Sequence, residues 1–535
     1  MPAVVTDQFR IVNAGNFVDS VLDSNNSYYV FLGLPNPSSS GFGRTTTQNP
    51  SWPYDPTDNQ QYLTHYRDTS LFGKKLNSSN IRRVVKKHNW VSNTRYDIYR
   101  HDYNEQTNQA PNSKTGSLYK TNYYVITSEF KVYICLSNGG SGDPNSTDAK
   151  GVESLDEPTF TDLEPAAAGT QDPYVWKYLF TVSPSDVVKF DSTEYITVPN
   201  NWATSTDSQI RAVRENGDSN VNNNQIKHVY IENAGANYTT GNGFEVDILG
   251  DGTGGRARVD IVDQKISNVT VSSGGKGYSY GLIDLDKLRV GGASHSDADK
   301  AKLVPIIPPK LGHGSDIYTE LGTDKVLVYA RFDDSTNDFP IDTQFAQVGI
   351  VKNPTKIGTT NIFTEQTFTT LHGIKFNPTT VSGTAGVGEE ITQLLTISPN
   401  NGDVATGYIA SFDKDTKVLK YFRDRSLNYS SKNDQTDYAG ISTIGRIYEF
   451  ESSLSDIKQQ VGGTVVFSGK VDTTFNQSSV TPTGGKLVNL GVQFTGGLSQ
   501  PEINKGSGEI VYLDNRPVIV RNSRQKEDIK IILEF

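Results

Sequence analysis

The sequence predicts a mainly β protein built from two to four modules. Three observations carry this. The chain has 535 residues, more than one ordinary hydrophobic core holds together. Apolar residues make up only 35%, yet 27 Tyr and 23 Phe supply large rings for burial, and 48 Gly punctuate the chain. The apolar residues recur in short runs between polar turns, and helical periodicity is rare.

Residues 1–70 alternate short apolar runs with loops. Ser27–Pro35 (SYYVFLGLP) reads as a buried strand stopped by its proline. Asn49–Asn59 (NPSWPYDPTDN) holds three prolines, which exclude a regular interior element. Gln60–Leu71 reads as a helix with Asp58 at its N-cap. Ile81–Trp90 (IRRVVKKHNW) is the densest basic run. It is an amphipathic segment with a solvated charged face, or a patch for an acidic partner. Tyr123–Leu136 is strand-like and holds Cys135 as a small core residue. In Asp172–Phe190, Tyr174, Trp176, Tyr178 and Phe180 share one strand face while Val175 and Leu179 share the other, so both faces are covered. Glu194–Pro199 is a further strand.

Two regions differ in texture. Val229–Tyr238 (VYIENAGANY) aligns with Val269–Tyr278 (VTVSSGGKGY), with Tyr238 and Tyr278 40 residues apart. The unit reads as strand, Gly–Tyr turn, strand, glycine turn, strand; two copies make a small β module rather than a solenoid. The second region, 356–505, contains the hairpin Ala405–Phe422 turning at Asp413–Asp415, inside a small β barrel. Its loops are rich in Ser, Thr, Asn and Gly, and Leu454–Val461 (LSDIKQQV) is a short helix candidate. At the end of the sequence, Ile510–Leu513 reads as a strand followed by a turn at Asp514-Asn515. Asp528, Lys530 and Glu534 then fall between the apolar Ile529, Ile531, Ile532, Leu533 and Phe535, the pattern of a strand with one buried face.

The net charge of −10, with Lys and Arg scattered, argues against a general nucleic-acid binder. The single cysteine permits no intrachain disulfide and suits a reducing cytosol. No apolar stretch approaches the ~20 residues that span a bilayer, and the first residues lack a charged-then-apolar export signal.

Chemistry-bearing motifs are few. Gly250–Gly255 (GDGTGG) has the spacing of a dinucleotide loop but precedes an alternating run, so it reads as a hairpin turn. Asp413–Lys417 (DKDTK) begins like a calcium loop without its later ligands and reads as a turn. Ser294–Lys300 (SHSDADK) is a solvated loop or a weak cation site. No two of the seven histidines are spaced as helical zinc ligands. In Gly312–Leu321 (GHGSDIYTEL), His313 and Asp316 form a catalytic pair, or Ser315 or Asp316 caps the following segment. A glycosidase carboxylate pair depends on folded geometry and stays open. No residue set points to a cofactor or metal.

The closing segment Gly508–Phe535 resembles the C-terminus of the T-even-type phage baseplate wedge subunit encoded by gene eight, through Asn515, Arg516 and Pro517, then Glu527, Ile529 and Phe535. Further segments resemble that family in the same order: Trp52–Asn59, Trp90 with Thr94-Arg95-Tyr96, Asp172–Phe180, Glu194–Pro199 and Phe345–Pro354. They fall within about half the chain. The resemblance implies a core of 1–225, 306–355 and 506–535, interrupted by the modules 226–305 and 356–505. Gly–Tyr modules of this kind resemble those in tail proteins of phages of marine bacteria.

It further implies a three-layer β-sandwich with helix-bearing excursions and a structural, non-enzymatic virion role. Homodimers would sit within each of six wedges around a hub. The partners would be other wedge subunits, with assembly in the host cytoplasm and neither nucleic acid nor membrane insertion. Interface anchors of such a subunit would come from Trp52, Tyr54, Trp90, Arg95, Tyr96 and Arg516, with Trp176, Tyr178, Pro517 and Phe535 as further interface or structural positions. Each is equally explained as core or turn packing. A glycan-binding adhesin using the two modules is the alternative, and a polysaccharide-degrading enzyme a third.

Overall fold

The computed structural model describes residues 5–33, 67, 69–140, 146–216, 225–290, 299–333, 344–423, 448–482, 485, 487–520 and 525–535. The protein is mainly β, in antiparallel sheets with short helices. Chain contacts divide it into two compact units: 1–18, 82–328 and 531–535 form one; 19–81 and 329–530 form the other. The first 225 residues, expected to share one core, are therefore divided between the units.

In the first unit, Tyr124–Ile126 and Lys131–Asn138 form a hairpin, where one strand-like run was expected. Phe130 sits at φ 59° and breaks that run in two. Tyr174–Thr181 adds on, with Tyr133 opposite Tyr178 and Cys135 opposite Trp176. Both of its faces are covered: Tyr174, Trp176, Tyr178 and Phe180 are buried on one and Lys177 and Leu179 on the other, and Cys135 is buried opposite. The basic run forms the strand Ile81–Lys86, with Arg83 opposite Val198 in Tyr195–Val198. Of its charges, Lys86 is exposed to solvent, and the others are engaged. Arg82 binds Asp186 (2.9 Å), Lys87 binds Asp191 (2.9 Å), and the Arg83 guanidinium lies 3.8 Å from the centre of the Tyr318 ring. Asp186 reaches Arg82 because Ser183 caps the helix Pro184–Phe190. The chain end belongs to this unit: Phe535 N–H donates to Asp324 O, and the Phe535 ring lies 5.5 Å from Phe17.

Phe17 belongs to a helix, Asp7–Leu22, in a region read as loops and short runs. Ile11, Ala14, Val18 and Val21 form its buried stripe. Exposed Phe9 and Val12 dilute the amphipathic signal.

The repeat folds as two interlocked copies. Val229–Asn233, Gly241–Gly250 and Thr253–Val262 are matched by Lys265–Lys276, Gly281–Ile283 and Lys302–Pro305. The first strand of each copy pairs with the third strand of the other. The exchange is reciprocal: Ile226 N–H donates to Gly274 O and Ile266 N–H to Ala234 O, both at 3.0 Å. Gly235 and Gly275 share a left-handed φ (64° and 59°), and the buried rings of Tyr238 and Tyr278 pack onto them. The Tyr278 hydroxyl accepts from Gly255 N–H (3.1 Å) and donates to Ile248 O (2.8 Å). Gly250–Gly255 makes the hairpin turn, with Asp251 accepting Ser279 N–H.

In the second unit, a five-stranded sheet runs Thr367–Thr369, Ser70–Lys75, Tyr28–Gly33, Gln344–Lys352, Glu509–Val520. Tyr28–Gly33 is buried throughout, and Tyr29 and Phe31 pack with Phe363 and Phe368. The Gln60–Leu71 helix falls largely outside the described residues, and Ser70 and Leu71 open a strand. No turn forms at Asp514-Asn515. Asp514 pairs with Val348 and Asn515 with Gln347, because the ladder continues through them and overrides local turn preference.

Residues 372–471 close a barrel. Neighbouring strands run His372–Lys375, Val418–Phe422, Val404–Asp413, Glu390–Leu394, Asp456–Val461, Thr464–Lys470. Phe376 then bridges Val471, while Asn377 N–H donates to Lys470 O and Asp472 N–H to Lys375 O, each at 2.9 Å. The expected helix at Leu454–Val461 is the strand Asp456–Val461, paired on both sides. Its burial alternates, with Ile457 and Gln459 inward. Asp413 makes the predicted turn, accepting Asp415 and Thr416 N–H.

Each module leaves and rejoins the chain at paired residues. Val229 lies opposite Pro305, and Lys352 opposite Glu509.

Gly275→Ala should cost much more than Gly277→Ala. Both have positive φ, about 1 kcal/mol of strain or more for alanine. Only at Gly275 would a Cβ meet backbone, Gly255 N at 2.5 Å, since nothing lies within 4 Å of one at Gly277. Hydrogen exchange over 225–290 measures the difference; equal loss of protection would contradict this packing.

Candidate functional site

The residues singled out from sequence separate by burial. Tyr96, Trp176 and Tyr178 are core. Tyr96 N–H donates to the Tyr174 hydroxyl (3.0 Å), and the Tyr96 hydroxyl accepts Val91 N–H (2.7 Å). Tyr174 and Trp176 stack at 5.3 Å, and Tyr178 shares a hydroxyl bond with Thr181 (2.8 Å). These rings hold the 90s loop to the sheet and take the structural alternative. Trp90 is half-buried, its indole N–H on Ser154 (3.1 Å). Phe535 is half-buried against Phe17.

Arg95 and Arg516 are exposed. Arg516 meets Asp514 at 2.7 Å. Arg95 follows the turn at Asn93 (φ 60°), beside the Thr94–Ser154 bridge, with exposed Val91 and Leu155 on either strand. Sequence reasoning missed Val91 and Leu155, which carry no motif. Pro517 lies in Glu509–Val520. Trp52, Tyr54 and most of Ser294–Lys300 lie outside the described residues.

His313 and Asp316 do not form a pair. Asp316 caps the helix Ile317–Leu321, accepting Tyr318 and Thr319 N–H. Its short side chain is thereby committed to the helix start. His313 instead faces Glu320 (Nδ1 to Oε1, 2.6 Å), whose other oxygen accepts Gly314 N–H (2.6 Å). The edge of Tyr99 packs on the imidazole, and both His313 and Glu320 are fully buried. The group ties a buried loop together.

The buried carboxylates have similar duties. Asp97 accepts Asn112 and Ser113 N–H; Asp172 accepts Leu155, Asp156 and Tyr174 N–H. Among the described residues no group of three or more His, Cys, Asp or Glu is arranged to hold a metal ion.

What the fold presents is strand edge. Among the described residues, Glu527–Glu534 ends a four-stranded sheet, followed inward by Lys325–Phe332, and Glu509–Val520 ends the five-stranded sheet. An end strand offers a row of N–H and C=O groups on which another chain can add a strand. The alternation Asp528–Phe535 was legible in the sequence; its position at a sheet end was not.

No family model matches the chain, and no curated protein matches it significantly.

One buried group makes a solution prediction. Lys177 is fully buried, donating to Leu163 O (2.7 Å) and Asn216 Oδ1 (3.2 Å). Burial, with Lys227 nearby, pushes its ammonium down to about 8. Two acceptors suit the two hydrogens of the neutral amine. Between that value and the ordinary lysine range, the unfolded chain holds a proton that the folded chain has released, so stability rises with pH. Thermal midpoints of wild type and Lys177→Met should therefore diverge in favour of wild type as pH goes from 7 to 9.5. A constant gap would contradict the burial cost.

Proposed function

We propose that this protein is a structural subunit of a contractile-tail baseplate wedge, acting by assembly rather than catalysis. The observation that carries the reading is the ordered series of segments resembling the gene-eight wedge subunits, ending at Phe535. Support comes from where the described members of that series lie. Trp90–Tyr96, Asp172–Phe180, Glu194–Pro199, Phe345–Pro354 and Gly508–Phe535 all fall outside the two modules. At each module the chain leaves and returns beside itself, Val229 opposite Pro305 and Lys352 opposite Glu509, as at an insertion.

In this reading the body is the family's three-layer sandwich. The sheet ends seen among the described residues, together with exposed Arg95 and Arg516, contact other wedge subunits. The subunit is a homodimer within each of six wedges, made and assembled in the host cytoplasm and carried in the virion tail. Imaging purified tails with this chain labelled tests it. Label at the baseplate is expected, and tails without label there would end the proposal.

The glycan-binding reading draws on one feature. Tyr280 is exposed beside Asp251, in the turn between Lys265–Lys276 and Gly281–Ile283 of the second copy. An exposed ring flanked by polar groups suits stacking on a sugar face. On a glycan array, binding by the full chain that Tyr280→Ala abolishes would support it; no binding would remove it.

A further inference from the structure

The helix Ser208–Asn216 packs on the strand Tyr174–Thr181, and its last residue meets the middle of that strand. There Lys177, fully buried, places its Nζ 3.2 Å from Asn216 Oδ1 and 2.7 Å from Leu163 O. The nitrogen of the same carboxamide, Asn216 Nδ2, donates to Glu164 Oε1 at 2.9 Å. Asn216 is itself buried. We propose that Lys177 and Asn216 join in an intramolecular isopeptide bond, which the chain forms on itself with Glu164 carrying the proton. Nothing in this link depends on the baseplate reading.

Each group is set for this reaction. Burial, with Lys227 nearby, holds the Lys177 ammonium down to about 8, so a usable fraction is neutral amine near neutral pH. A neutral amine has a lone pair and is a nucleophile toward a carbonyl carbon. Because Nζ reaches Oδ1, the Asn216 carbonyl carbon lies one bond further on. Reactants held together at this range act as though concentrated many orders of magnitude. The carboxamide is fixed at both ends, with its N–H toward the carboxylate and its oxygen toward the amine. Burial raises the Glu164 carboxyl, but the Asn216 amide and the Lys227 ammonium, 2.9 Å away, outweigh it and hold it below its ordinary range. Glu164 therefore starts as a carboxylate that can take a proton. Its side chain is 58% exposed, so ammonia released beside it can leave.

The step balances without an added reactant. The Nζ lone pair attacks Asn216 Cγ, a C–N bond forms, and the carbonyl π pair moves onto Oδ1. Glu164 takes the proton that Nζ sheds and delivers one to Nδ2. The pair on Oδ1 returns, the Cγ–Nδ2 bond breaks, and ammonia leaves. Glu164 ends as the carboxylate it was, and nothing is oxidised or reduced. The product is a neutral amide, which removes the cost of a buried ammonium. Its single N–H keeps Leu163 O as acceptor. The two residues are 39 apart, so the link restrains the unfolded chain as a disulfide would, in a protein whose one cysteine can make no intrachain disulfide. The pH response predicted above for Lys177 belongs to the unlinked chain, because an amide does not titrate in that range.

The test is mass spectrometry of the full folded chain, after purification and again after long incubation at a pH above the Lys177 value of about 8. Wild type should weigh one ammonia less than its sequence. Its digest should contain one branched peptide joining Lys177 to Asn216, with no tryptic cleavage after Lys177. Lys177→Met and Asn216→Ala should each show the full sequence mass and no branched peptide. Glu164→Gln should slow formation of the branched peptide about tenfold or more. Wild type without that peptide after the incubation overturns the inference, whatever its mass. So does Asn216 recovered as aspartate beside an unmodified Lys177, since water would then have taken the place of the amine. Either result leaves the baseplate reading to the imaging experiment, which does not depend on this bond.

Discussion

The architecture depends on one backbone constraint: each module starts and stops at residues that face each other across a ladder. Lys352 opposite Glu509 means that 156 intervening residues are carried without separating Gln344–Lys352 from Glu509–Val520. Val229 opposite Pro305, continued by Ile306 N–H on His228 O, does the same for the repeat. A long excursion whose ends are already adjacent adds little closure entropy to the body. The ladder pairs residues distant in sequence with no change to their neighbours, which lets a modest apolar content serve a long chain. The repeat and the barrel each bring a core of their own.

Within the first unit, polar backbone and large rings solve a common problem. Tyrosines buried in number bring hydroxyls that need partners. Tyr123 donates to Glu320 O, Tyr124 to Lys86 O and Tyr174 to Val152 O, so core rings also fasten loops. Irregular segments between strands are held by groups that pack as hydrophobes at one end and bond at the other. The buried Glu320 carboxylate and the Asp97 and Asp172 carboxylates extend this to N–H groups. The acidic excess of the composition is thus partly structural.

Much of this was legible in the sequence where local pattern and tertiary environment agree. Tyr174–Phe180 alternates rings with aliphatics, and both faces are buried; the Gly–Tyr spacing fixed where the repeat turns. The failures share a cause in long-range pairing. Asp514-Asn515 has turn chemistry, but Val348 and Gln347 hold it extended. Asp456–Val461 is too short for periodicity to separate helix from strand, and its two neighbours decide. Closure of the barrel through Phe376 and Val471 has no local signature. The same holds for the interaction surface: the residues of the last strand announce a two-faced element, while its place at a sheet end follows only from the order of strands gathered from far apart in the chain.

The interlocked repeat has a consequence for biosynthesis. Because the opening strand of either copy is completed by the closing strand of the other, the earlier copy leaves the ribosome with its ladder half made. It has to wait, with glycine-rich turns formed and edges unmatched, until Lys302–Pro305 has been translated. The module therefore becomes ordered as a whole near the completion of its synthesis, and its first half is a nascent segment that depends on sequence not yet written.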